Sequence, residues 1–91
     1  MLRLFHDKDL IGTITNEVPD DFAFVGNVEL TDRGAGYKDI FEFFSKQDKR
    51  MYVDPPFSEG QLENWFVENK HGERTEISTP AINSNNEIWW R

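Results

Sequence analysis

Phe22-Ala23-Phe24-Val25-Gly26-Asn27-Val28-Glu29-Leu30 is the stretch that decides the fold. Phe22, Phe24, Val28 and Leu30 share one parity, Gly26 completes the row, and Asn27 and Glu29 point the other way, the signature of a strand with one core face and one largely wet face. After Thr31-Asp32-Arg33-Gly34-Ala35-Gly36, read as a loop, the period changes. Tyr37, Ile40, Phe41 and Phe44 stand at i, i+3, i+4 and i+7, which predicts an amphipathic helix over about residues 36–47 with Phe43 at the margin of its apolar stripe. A half-buried strand followed by a one-sided helix points to a sheet with helix on one face.

Working outward toward the N-terminus, Leu2, Leu4 and His6 alternate with Arg3 and Phe5, Asp7-Lys8-Asp9 interrupts, and Leu10-Ile11-Gly12-Thr13-Ile14-Thr15 resumes with β-branched residues. This reads as a hairpin. Asn16–Asp21 reads as polar turn material, because Pro19 does not fit a central strand. Toward the C-terminus, Met51-Tyr52-Val53 suggests a short strand ended by Asp54-Pro55-Pro56. Residues 58–72 admit two readings. Ser58 and Gln61 form a capping-box pattern, and Leu62, Trp65, Phe66 and Asn69 keep helical spacing. Trp65-Phe66-Val67 is equally a β-favouring triplet, followed by the turn Asn69-Lys70-His71-Gly72 and a return strand Arg74–Ile77. A capped turn at Ser58–Leu62 leading into a strand at Asn64–Glu68 reconciles both and is the preferred reading, with a helix through 62–69 as its competitor. Pro80-Ala81-Ile82 and the turn Asn83–Asn86 precede a last strand, Glu87-Ile88-Trp89-Trp90-Arg91. The expected fold is α+β: one domain over residues 1–91, with an antiparallel sheet of about five or six strands and the helix 36–47 on one face.

Composition narrows the function classes. The 91 residues hold 17 Asp plus Glu against 10 Lys plus Arg, a formal net charge of −7. Hydrophobic residues make 37% of the chain, below the roughly 45–50% of an average domain, so the eight Phe, three Trp and two Tyr must supply much of the core. Cysteine is absent, which removes disulfides, thiolate nucleophiles and Cys-containing zinc sites. No stretch approaches the ~20 apolar residues of a membrane-spanning helix, and charges break the first nine residues before a signal-peptide core could form. The cytoplasm is the expected compartment, with no membrane partner.

The opening Arg3-Leu4-Phe5-His6-Asp7-Lys8-Asp9-Leu10-Ile11-Gly12-Thr13-Ile14 and the closing Ile88-Trp89-Trp90-Arg91 resemble the two ends of short uncharacterised bacterial proteins. The resemblance covers the hairpin and the Trp-Trp-Arg end. It implies a bacterial source and carries no activity and no functional residue.

Chemistry-bearing constellations are sparse. His6 and His71 are the two imidazoles, each at a turn edge, where a solvated histidine is the plain reading; a small enzyme or ligand-binding domain using either with a nearby carboxylate is the alternative. No G-x-S-x-G elbow supports a nucleophilic serine. Asp7 with Asp9, Asp20 with Asp21 and Asp32 with Asp39 follow no calcium-loop pattern, and no metal or cofactor is expected. Gly34-Ala35-Gly36 lacks the third glycine of a dinucleotide loop and lies among acids that repel phosphate. Lys46, Lys49 and Arg50 form the only basic cluster, better placed to complement a helix C-terminus than to hold nucleic acid against a net negative surface. No catalytic residue is assigned.

The aromatics give the leading hypothesis. Adjacent residues on a strand face opposite sides of the sheet, so Trp65 and Phe66, and again Trp89 and Trp90, must part. One ring of each pair then needs a cover other than the helix. Trp65, Glu68, Glu87 and Trp89 are the expected contact residues of a non-enzymatic, immunity- or inhibitor-like module whose acids would steer a basic protein partner. The third class is a structural homo-oligomer that buries its Trp faces against a second copy.

Overall fold

A computed structural model of the chain describes residues 1–20, 23–46 and 57–91. Seven strands form one antiparallel sheet: β1 (Leu2–His6), β2 (Asp9–Asp20), β3 (Ala23–Leu30), β4 (Trp65–Glu68), β5 (Arg74–Ile77), β6 (Ala81–Ile82) and β7 (Glu87–Trp90). Their order is β5-β4-β1-β2-β3-β7-β6. Three short helices accompany them: α1 (Asp32–Ala35), α2 (Lys38–Lys46) and α3 (Glu59–Leu62). The α+β class holds, and among the described residues the expected five or six strands become seven and the single helix becomes three.

The sheet curls into a half-barrel. Chain from β5 to β6 bridges its two edges, and Ser78 N–H donates to the Arg91 carbonyl at 3.0 Å. Leu4, Ile11, Ile14, Val28, Phe41, Trp65, Ile82, Ile88 and Trp90 fill the concave side. Ile40 and Phe41 of the predicted helical stripe are buried, and Tyr37 packs against the same cluster. Phe43 is half-buried, its ring 5.3 Å from that of Phe44. The α2 backbone runs along the edge strand β6.

Two sequence expectations fail for identifiable reasons. Residues Asn16–Asp20 of the segment expected as turn are strand, because β2 continues to Asp20; Asp21 lies outside the described residues. Its register with β3 shifts between Thr15 and Val18, a bulge that hides the period-2 pattern, and Asn16 takes a φ of +56° there. Pro19 is tolerated because β1 begins opposite Ile14, so beyond that point β2 has a neighbour on the β3 side alone. A missing N–H costs no ladder bond on such a free side. The Thr31–Gly36 segment, expected as loop, contains the helical turn α1. Thr31 Oγ1 accepts from Gly34 N–H at 3.1 Å and donates to the Leu10 carbonyl at 2.7 Å, tying the turn to β2. Gly34 is required there by close packing, since any Cβ would collide with the Ile11 carbonyl oxygen.

The reconciled reading of residues 58–72 matches the chain. Ser58 N–H donates to Gln61 Oε1 at 3.0 Å at the start of α3, β4 then extends to Glu68, and Gly72 at φ +79° turns the chain into β5. The strand expected at Met51–Val53 lies outside the described residues. Among the described residues, no helix is long and apolar enough to cross a membrane.

Candidate functional site

The outer face of the sheet carries the side chains that the pleat turns away from the core, and the cross-strand registers sort them into rows. At one end, Val18 of β2 stands opposite Val25 of β3, which stands opposite Trp89 of β7, which stands opposite Ala81 of β6. This row is apolar across four strands. Val18 is 52% exposed, Val25 and Trp89 are half-buried, and Ala81 is buried. The adjacent outer row is polar: Thr15, Asn27 and Glu87 in register. Asn16 Nδ2 donates to Asn27 Oδ1 at 3.1 Å and Asn83 Nδ2 to Glu87 Oε1 at 3.0 Å. Between the two rows lies a shallow hollow of about 250 Å³ bordered by Asn16, Val25, Asn27, Asn83, Glu87 and Trp89. Trp89 and Glu87, two of the residues expected on a contact surface, are thus neighbours on one exposed patch.

The other two are placed differently. Trp65 has no exposed surface; its indole N–H donates to the Gln61 carbonyl at 3.0 Å and its ring meets those of His6, Tyr37 and Phe41. The expectation that Trp65 faces a partner is therefore corrected: β4 turns Trp65 inward beneath the helices and Phe66 outward. Glu68 does face outward, but its side chain is 14% exposed and its carboxylate sits between Arg74 Nε at 2.9 Å and Arg3 Nη1 at 3.6 Å. The Arg74 guanidinium lies over the Phe5 ring, 4.1 Å from its centroid, and Phe5 stands opposite Phe66. A carboxylate neutralised by two guanidiniums steers little, so Glu68 belongs to an internal network.

Among the described residues, neither histidine is hydrogen-bonded to a carboxylate. His6 Nδ1 is 2.9 Å from Tyr37 Oη and its Nε2 is 2.9 Å from the Gly60 carbonyl oxygen, so its two ring nitrogens tie β1 to the residue that precedes α2 and to α3. His71 lies exposed in the turn after β4, where its backbone N–H donates to Asn69 Oδ1 at 2.9 Å. Among the described residues, no three His, Asp or Glu side chains gather as a metal site. Sequence reasoning missed Val18, Val25, Asn16 and Asn27 as members of the Trp89 patch. A hairpin register through the β2 bulge was the needed signal, and the polar, acidic composition of residues 16–21 around Pro19 masked it.

Comparison of the chain with protein-family models, curated proteins and solved structures finds no match.

Proposed function

We propose that this chain is a non-enzymatic interaction module of the bacterial cytoplasm that binds a basic protein partner through the outer-face patch centred on Trp89. The observation that carries this reading is the unbroken apolar row Val18, Val25, Trp89 beside the polar row that ends in Glu87. Tryptophan with aliphatic neighbours is the composition of an energetic hot spot, and a polar border with a carboxylate supplies orientation. The net charge of −7 favours encounter with a cationic surface and disfavours nucleic acid. The enzyme alternative loses ground because neither histidine has a carboxylate partner among the described hydrogen bonds.

The test is capture of partners from a bacterial lysate on the immobilised chain, its Trp89→Ala variant and its Glu87→Gln variant, at low and high salt. A partner retained by the parent chain, lost with Trp89→Ala and weakened by salt and by Glu87→Gln is the expected result. A partner held equally by Trp89→Ala, or unaffected by ionic strength, would sink the assignment.

A further inference from the structure

The helices gather at one end of the half-barrel, around Trp65. At the other end, among the described residues, the concave side is open. A hollow of about 230 Å³ there is floored by Leu2, Phe24, Val67, Ile77 and Trp90 and rimmed by Glu17, Glu76 and Arg91.

One wall of this opening is β5, the outermost strand of the sheet. Its register with β4 determines where its peptide groups point. Asn69 N–H donates to the Glu73 carbonyl at 3.0 Å, and in an antiparallel pair the bonded positions alternate. Val67 with Thr75 and Trp65 with Ile77 are therefore the bonded pairs, while Arg74 and Glu76 turn their N–H and C=O groups away from β4. Ser78, next in that series, fits this direction, because its N–H reaches Arg91 across the opening. No strand among the described residues pairs with the outer edge of β5. Among the described residues, the opening thus combines an apolar floor with a wall of outward-facing peptide donors and acceptors that no strand pairs.

Exposed edges are commonly guarded by charged side chains that project over them. Arg74 does not serve here, since it is drawn onto the outer face by Glu68 and Phe5. What remains at the edge is the exposed carboxylate of Glu76; on the rest of the rim, among the described residues, Glu17 lies 3.7 Å from the Met1 ammonium and Arg91 is the one cationic side chain, so the uncompensated charge beside β5 is that of Glu76.

We infer that this opening receives an extended peptide segment with alternating apolar and basic side chains, added to β5 as a further strand. Its backbone bonds the free groups of Arg74 and Glu76, and every second side chain falls onto Val67, Ile77 and Trp90. The intervening Lys or Arg side chains lie beside Glu76. A second copy of the chain is the poorer occupant: the four-residue β5 of a partner would bring only Thr75 and Ile77 to the inner side and leave Phe24 and Trp90 uncovered. This site is on the inner side of the sheet and stands or falls independently of the Trp89 patch.

The experiment titrates an eight-residue peptide alternating valine with lysine into the intact chain, observed by amide NMR shifts and exchange protection at residues 74 and 76 and by Trp90 indole shifts. A second peptide carries the same side chains but is N-methylated at alternate residues along the edge that bonds β5. Glu76→Pro deletes the outward donor without removing a ladder bond to β4; Glu76→Gln deletes only the charge. Binding weakened about tenfold or more by N-methylation and by Glu76→Pro, and a few-fold by Glu76→Gln or by glutamate in place of the peptide lysines, is expected. The N-methylated peptide needs no mutation, so it decides the matter even if Glu76→Pro fails to fold. Equal affinity for both peptides overturns the inference. So does concentration-dependent self-association of the chain that Glu76→Pro abolishes, which would assign the edge to a second copy.

Discussion

Trp65-Phe66 and Trp89-Trp90 are the same device in two places, and they come to different ends. In each, the pleat sends one ring to either side of the sheet. The inward member of the first pair, Trp65, is completely enclosed, with ring centroids of His6, Tyr37 and Phe41 at 4.7, 5.5 and 5.5 Å. Its outward companion, Phe66, lies opposite Phe5, which the Arg74 guanidinium covers. The inward member of the second pair, Trp90, stacks on Phe24 at 5.7 Å, and Phe24 itself remains 45% exposed. Its outward companion, Trp89, is bordered by Val25 and Ala81 with no cation over it among the described residues. Backbone geometry separates neighbouring rings; the placement of helices and of paired charges determines which are sealed. One end of the barrel is built for stability and the other presents apolar surface.

That contrast ranks the consequences of substitution. Trp65→Ala has the largest expected effect, about 3–5 kcal/mol of unfolding free energy, because it leaves a cavity among the rings of His6, Tyr37 and Phe41. Chemical denaturation checks this, and a loss below about 2 kcal/mol would show that the helix-covered end collapses readily and is not the rigid half. Trp90→Ala comes next at about 2–3 kcal/mol, since Phe24, its stacking partner, is already partly in water and can follow the vacated space. Equal losses at the two positions would erase the distinction between the ends.

The strand-to-helix change of period at Leu30–Tyr37 was legible because tertiary structure did not contradict it: Val28, Ile40 and Phe41 are all buried. The turn-then-strand reading of 58–68 was legible for a similar reason, as the Ser58–Gln61 bond satisfies a donor at the start of α3 and β4 then uses its β-favouring triplet. The extension of β2 was not legible. A bulge breaks parity, and Pro19 argues against strand unless the free side of β2 is already known. The setting of Glu68 was hidden for a related reason: Arg74 lies across the β4–β5 hairpin and Arg3 comes from β1, so the pairing of that carboxylate emerges only once the registers are set. Trp65 was foreseen to part from Phe66, but which ring would be covered depended on where α2 and α3 come to rest.

Arg74→Ala sharpens the comparison on the outer face. It removes the closer partner of Glu68 and uncovers Phe5, for an expected cost of about 1–2 kcal/mol at low salt, the electrostatic part shrinking as ionic strength rises. A cost near zero would mean that Phe5 and Phe66 are as free for recognition as Trp89, and the outer face would then have two equivalent patches.

The smallest expected effect on stability, and the largest on recognition, falls at Trp89. Its ring is half-buried and its cross-strand neighbours Val25 and Ala81 are short, so truncation to alanine removes cross-strand contact without opening an enclosed cavity. A cost of about 1 kcal/mol is expected in denaturation. Against a partner seated on the row from Val18 to Trp89, the same truncation deletes the one aromatic anchor and should weaken binding by about 2 kcal/mol or more, roughly thirtyfold. The two measurements bear on each other because a ring that merely completes the fold lowers both quantities in proportion, through the folded population, whereas a ring that anchors a partner separates them. Measured with Arg74→Ala beside it, Trp89→Ala should show that separation and Arg74→Ala should not, which is what the different fates of the two outward rings require.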